Sequence, residues 1–200
     1  MKTGILGGTF DPPHRGHLRL ARLAQRALGL DRVLFVPCAR QPLKSGGPVA
    51  SAPDRCAMVA LALQGRADWL LDTREAVQEG ASYTVETLEA LRAERPGDAL
   101  VLLLGQDSLE SLPRWRRARR ILALAILAVA PRDPSRPVAL PEGRWGADVR
   151  LLPVAPWPVS SSEIRGRIAR RAPWKTLVPA PVARYILRQG LYRPAGGRCV

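Results

Sequence analysis

The chain has 200 residues, 46% of them hydrophobic, and its 31 Lys and Arg outnumber its 17 Asp and Glu to give a net charge of +14. That length suits one domain with a buried core, and the apolar content excludes a disordered basic tail. Three cysteines without CxxC spacing exclude a disulfide framework or a cysteine zinc site, and the longest apolar run, Ile121 to Ala130, is far short of the ~20 residues of a membrane helix.

Strand-like and helix-like segments alternate from the start. Thr3 to Leu6 reads as a strand ending at Gly7-Gly8, and Leu18, Ala21, Ala24 and Leu28 follow at helical spacing until Gly29. Val33 to Val36 is the next strand, Cys38 to Ala52 a loop, and a helix resumes at Pro53 with Met58, Leu61 and Ala62 inward. Trp69 to Leu71 reads as a strand, Thr84 to Arg95 as a helix, and Ala99 to Leu104 as a strand covered on both faces. The basic stretch Pro113 to Arg120 reads as helical and leads into a buried strand at Leu122 to Val129. Pro131 to Gly146 is an excursion, Val149 to Val154 a last strand, and helices follow at about Ser161 to Arg171 and Pro179 to Gln189. The alternation predicts an α/β fold: a Rossmann-like, doubly wound parallel sheet with helices on both faces and a C-terminal helical segment, as a single domain over 1–200. In such folds ligands bind at the carboxyl ends of the strands where strand order reverses, which directs attention to the loop after the first strand.

That loop reads Gly7-Gly8-Thr9-Phe10-Asp11-Pro12-Pro13-His14-Arg15-Gly16-His17. Two glycines admit an anion close to the backbone, and the helix that follows offers unpaired N–H groups and a positive dipole end to the same spot. His14 and His17, three apart at the start of that helix, can project from one face, with Gly16 leaving room for a ligand. Metal ligands, phosphate donors or structural residues would each fit such a pair. The chain holds only these two histidines and no nearby carboxylate pattern to complete a metal site, so phosphate binding is the reading and no protein metal site is expected.

The run GTFDPPHRGH resembles the signature of the HxGH nucleotidyltransferase superfamily, whose members transfer a nucleotide monophosphate with loss of pyrophosphate. Further segments look like bacterial nicotinate-nucleotide adenylyltransferase: Pro42-Leu43-Lys44, Arg55 to Met58, Ser82-Tyr83-Thr84 with Thr87-Leu88, and Gly105-Gln106-Asp107-Ser108-Leu109 with Leu112 and Trp115. So does the tail, Val159-Ser160-Ser161-Ser162-Glu163-Ile164-Arg165, then Val178-Pro179, Tyr185-Ile186 and Gly190-Leu191-Tyr192. In order, the likeness runs from about residue 3 to 193.

The resemblance implies adenylyl transfer from ATP to nicotinate mononucleotide, in NAD biosynthesis. It implies His14, His17 and Arg165 as catalytic residues, and an ATP site of Gly7, Gly8, Thr9, Phe10, His17, Gly105, Asp107, Ser160, Ser161, Ser162 and Arg165. It implies an acceptor site of His14, Lys44, Arg55, Tyr83, Thr84 and Trp115, and Mg²⁺ arriving with ATP as the cofactor. The residue types suit these roles. The serines can cap a helix while facing phosphate, and Arg165 one turn on can add a charge-assisted fork. A Trp such as Trp115 can stack on a flat heteroaromatic ring. Where the family often has an aromatic after that Trp, this chain has Arg116, a cation beside the pyridine pocket. Arg132 is followed by Asp133-Pro134 where the family tends to have Pro-Gly, which weakens its carry-over.

Adenylyl transfer to nicotinamide mononucleotide or to phosphopantetheine stays open as an alternative. So does an Arg-rich nucleic-acid-binding protein using Arg114 to Arg120, although the basic residues are spread over several segments and no recognised nucleic-acid module is present. Lysine occurs only at Lys2, Lys44 and Lys175, so a compositional bias toward arginine accounts for much of the charge without a polyanion. The expectation is therefore of small-molecule partners, ATP and nicotinate mononucleotide, with neither nucleic acid nor membrane, and homo-oligomer formation left open. With no signal-peptide pattern after Met1, a cytoplasmic location is expected.

Overall fold

In a computed structural model, residues 1–43, 46–131, 138, 148–153 and 159–194 are described. The apolar runs become strands β1 (Lys2–Gly8), β2 (Arg32–Pro37), β3 (Trp69–Leu71), β4 (Ala99–Gly105), β5 (Ile126–Ala130) and β6 (Val149–Leu151). They form one sheet in the order β3-β2-β1-β4-β5-β6, and every pairing is parallel. Helices α1 (Arg15–Leu28), α2 (Ala52–Leu63), α3 (Thr84–Glu94), α4 (Gln106–Ser111), α5 (Ala118–Leu124), α6 (Ser161–Ala169) and α7 (Ala180–Arg188) connect and cover it. The expected doubly wound α/β architecture is what forms.

The period-two alternation of strands divides the core into two layers. Leu6, Val33, Phe35, Val101 and Leu103 point toward Ala21 and Ala24 of α1 and Val59 of α2. Ile5, Leu34, Val36, Leu100, Leu102 and Leu104 point the other way, toward Val85, Leu88 and Leu91 of α3 and Ile121 of α5. Because both faces are covered, β4 reads as a continuous apolar run. A third cluster joins Met58 of α2 to Ile164 and Ile168 of α6 and to Val182, Ala183 and Ile186 of α7, with Trp174, Val178 and Tyr192. This cluster docks the C-terminal helices beside the sheet. Strand order reverses between β1 and β4, so the crevice outside their carboxyl ends is where ligands bind in sheets of this topology.

Two sequence expectations are corrected. Leu122 to Val129 is not one strand: Ala118–Leu124 is α5, and β5 begins only at Ile126. A continuous apolar run carries no period to separate a buried helix from a buried strand. The break has a physical marker in Arg92 of α3, whose guanidinium donates to the backbone oxygen of Leu124 at 3.0 Å and so satisfies a carbonyl left over at the helix end. Pro113 to Arg120 is likewise not one helix. A 3₁₀ turn at Leu112–Arg114 gives way to extended backbone at Trp115, and Arg117 at φ 52 precedes α5. The last strand is also shorter than expected, ending at Leu151.

Leu102 is 2% exposed at the centre of the sheet. Leu102→Ala is expected to destabilise the protein by about 2–5 kcal/mol, read as a lower midpoint of urea unfolding at unchanged slope. A cost below ~1 kcal/mol would show that this layer is not the core.

Candidate active site

The loop leaving β1 is shaped by Phe10 and Asp11. Phe10 has φ 50, a left-handed conformation uncommon outside glycine, and its ring is buried against Phe35 and edge-on to His17 at 4.9 Å. This packing holds the strained turn. Asp11 is 2% exposed. Its carboxylate accepts the backbone N–H groups of Val49 (2.8 Å) and Ala50 (3.1 Å) and the Tyr192 hydroxyl (2.7 Å). Burial and the Asp11 charge push the Tyr192 hydroxyl pKa upward, so it stays a donor.

The same loop receives the start of α6. Ser161 Oγ donates to the Pro12 carbonyl at 2.9 Å, and an Arg165 Nη1 donates to the Asp11 carbonyl at 2.7 Å while lying 3.7 Å from its carboxylate. Ser160 is the N-cap of α6, accepting from the Glu163 N–H at 3.1 Å, and the Ser162 hydroxyl lies 3.3 Å from Arg165 Nη2. Expected capping and closeness to the first loop thus coexist in one segment.

His14 is the N-cap of α1, and its ring stacks on that of His17 with centroids 3.6 Å apart. His17 Nδ1 accepts the His14 backbone N–H at 3.1 Å. In the neutral ring this leaves the proton on Nε2, which makes that nitrogen a donor. His14 Nδ1 is buried and has no hydrogen-bond partner among the described residues. A Cβ at Gly16 would lie 3.0 Å from His14 Nδ1 and 3.1 Å from Val159, so a side chain there would crowd both neighbours.

These groups line a cleft of about 1000 Å³. Gly7, Gly8, Thr9 and Phe10 from the first loop, both histidines, Gly105 and Asp107 at the end of β4, and Ser160, Ser161, Ser162 and Arg165 all reach it. Tyr83, Thr84 and Trp115 reach it as well. Thr84 opens α3, while Trp115 is half-buried with its indole N–H on the Ser111 hydroxyl at 3.1 Å.

Arg55 does not join them. It is 1% exposed, and its guanidinium donates to the carbonyls of Thr9 (2.8 Å), Cys38 (2.6 Å) and Ala39 (3.4 Å), bracing the ends of β1 and β2. The expected phosphate contact is thereby replaced by a structural role, since the planar fork is already spent on carbonyls. Lys44 and Arg132 lie outside the described residues.

Sequence reasoning missed the tie between Asp11 and Tyr192. It also missed Glu75, a buried carboxyl on the cleft wall that accepts from Thr87 Oγ1 and is raised in pKa by burial. Asp11 stood inside the recognised motif, but nothing in the sequence pairs it with a residue 181 positions away.

Known proteins share both sequence and shape. The cytidylyltransferase-like family model matches residues 5–167. A probable nicotinate-nucleotide adenylyltransferase of Gloeobacter violaceus is 41% identical, covering 98% of each chain. One from Bordetella petrii is 43% identical over 96% of this chain and 99% of its own. The chain belongs to the nicotinate-nucleotide adenylyltransferase family. Its fold is also that of the Plasmodium falciparum nicotinic acid mononucleotide adenylyltransferase complexed with NaAD, at 18% identity and a TM-score of 0.76, covering 96% of this chain and 98% of that one. Among the described residues no helix is long and apolar enough to cross a membrane.

In this member of the family, burial lowers the His14 imidazole from its ordinary 6.5 to about 4, because desolvation penalises the cation. The unfolded chain therefore binds this proton more readily than the folded one. The His14 contribution to stability is complete above about pH 6.5, is lost as pH falls toward 4, and changes little below that. The His14 ring protons in an NMR titration are expected to show a midpoint near 4. A midpoint in the ordinary histidine range would contradict the burial.

Proposed function

We propose that the chain transfers the adenylyl group of ATP to nicotinate mononucleotide, releasing pyrophosphate and forming deamido-NAD. The observation that carries this reading is the make-up of the cleft. Two stacked histidines, a helix start and Arg165 converge on the Asp11 loop, and Trp115 with Tyr83 and Thr84 supplies aromatic and polar walls to the same space. A volume of about 1000 Å³ sits at the upper end of ligand pockets, enough for two nucleotides together. Relatives bearing this name match along nearly their whole length, which supports the same acceptor.

In the reaction an oxygen of the acceptor phosphate attacks the α-phosphorus of ATP, a new P–O bond forms, and the α–β bridge breaks as pyrophosphate leaves. The attacking phosphate is already ionised, so the protein need supply neither a nucleophile nor a base. Its contribution is positioning and stabilisation of developing charge. His17, with Nδ1 occupied by backbone, offers its Nε2 proton to an oxygen of the transferred group. His14, neutral at physiological pH, stacks against the His17 ring and holds it in place. The Gly7 to Phe10 backbone, Ser160 to Ser162 and Arg165 take the outer phosphates, and Gly105 and Asp107 meet the ribose or adenine of ATP. Trp115 stacks on the pyridine ring beside Tyr83 and Thr84.

Arginine, serine hydroxyls and a helix start are donors to phosphate rather than ligands for a bare cation. Among the described residues no three His, Cys, Asp or Glu gather as a metal site. Mg²⁺ would arrive with ATP and supply neutralisation of charge on the leaving pyrophosphate.

Pyrophosphate release from ATP, measured with each acceptor in turn, tests the assignment. Nicotinate mononucleotide is expected to give the highest kcat/KM, ahead of nicotinamide mononucleotide and phosphopantetheine. Preference for either of the others would replace the acceptor. His17→Ala is expected to lower kcat by about 100-fold or more with the fold intact by circular dichroism, as loss of a transition-state donor does. Near-normal turnover would remove His17 from the chemistry.

A further inference from the structure

Directly after Trp115 the chain places Arg116, whose side chain also lines the cleft. Its guanidinium carbon lies 4.6 Å from the centroid of the Tyr83 ring, and its Nη1 is 3.0 Å from Glu86 Oε1. Tyr83 is the N-cap of α3 and Glu86 lies in its first turn, so the arginine is held across the opening turn of that helix. Of the neighbouring cations, Arg117 and Arg120 both pair with Glu89 at 3.0 Å, while Arg114 also lines the cleft.

We propose that Arg116 is a specificity-determining residue of the acceptor subsite, exchanging the Glu86 carboxylate for the carboxylate on the pyridine ring of the acceptor. This inference rests on the nicotinate mononucleotide reading and deepens it.

Three physical points support the exchange. The Arg116–Glu86 pair is half exposed on both sides, 53% and 44%, so it is weak and is given up at little cost. A ligand carboxylate is chemically the same partner, and in the cleft that Trp115, Tyr83 and Arg116 line together it can take the place of Glu86 at the guanidinium. The guanidinium can then grip two oxygens as a fork while its face stays on the Tyr83 ring, a combination that lysine cannot reproduce. An amide on the same ring has one acceptor oxygen and no charge. The N-terminal dipole of α3 biases the same spot toward an anion. Arg116 thus favours the acid over the amide without touching the reacting phosphorus.

The experiment compares kcat/KM for nicotinate and nicotinamide mononucleotides in wild type, Arg116→Ala, Arg116→Lys, Glu86→Gln and Arg119→Ala. The last removes one positive charge from an exposed position on α5 and controls for net charge. Arg116→Ala is expected to lower kcat/KM for the acid by about tenfold or more, through KM, as loss of a charge-assisted contact does, and to leave the amide within about twofold. Arg116→Lys is expected to recover only part of the preference. Glu86→Gln is expected to lower KM for the acid by freeing the arginine, and Arg119→Ala to leave the ratio unchanged. Equal losses for both acceptors in Arg116→Ala, or an unmoved ratio, would overturn the role of Arg116 while leaving the adenylyl transfer reading standing. Absence of pyrophosphate release by wild type with either mononucleotide would instead overturn the reading beneath it.

Discussion

The carboxylate of Asp11 joins three stretches of chain that are far apart in sequence. It accepts backbone N–H groups at Val49 and Ala50 and the hydroxyl of Tyr192, and Arg165 approaches it from α6. Hydrogen bonds to a buried ionised acceptor are stronger than neutral ones, and each donor lost would leave charge uncompensated in a site 2% exposed. The loop after β1, the entry to α2 and the C-terminal helices are therefore tied to one another through this side chain, together with the apolar cluster around Met58, Ile164 and Val182. Phe10 and Tyr192 adopt left-handed backbone conformations at the two ends of this arrangement, φ 50 and 66, and burial of both rings holds them there.

That rigidity explains how donors can suffice for chemistry. A preorganised hydrogen bond stabilises developing charge because it needs no rearrangement when the charge appears. His17 is pinned through Nδ1 by the backbone of His14, and the two rings stack in contact. Arg165 is pinned by the Asp11 carbonyl. The buried arginine that sequence reasoning assigned to phosphate, Arg55, serves the same end indirectly, since its carbonyl contacts clamp the ends of β1 and β2 beside the cleft.

Much of the fold was legible because its signals are local. The glycine turn after β1, the left-handed Gly29 that closes α1 and the unbroken apolar run of β4 each declare themselves within a few residues. The α5–β5 boundary did not, because burial on every side erases periodicity from both elements. Most site residues were legible through motif order, and the structure brings His14, His17, Asp107, Trp115 and the Ser160 to Arg165 segment to one cleft. The role of Asp11 and the burial of Arg55 depend on partners far away in the chain, and no local pattern announces that an arginine will spend its donors on carbonyls. The excess charge is also less informative than it looks. Arg74, Arg116, Arg117, Arg120 and Arg167 are paired with nearby carboxylates, which is ordinary surface chemistry.

The central claim is that fixed donors hold two phosphate esters for direct reaction, with no side chain bonded to the adenylyl group along the way. The stereochemical course at the α-phosphorus measures this most directly, using ATP made chiral by sulfur at that position and nicotinate mononucleotide as acceptor. One in-line displacement predicts inversion of configuration in the product. Retention would mean two displacements and a covalent adenylyl-protein intermediate, and would contradict the account.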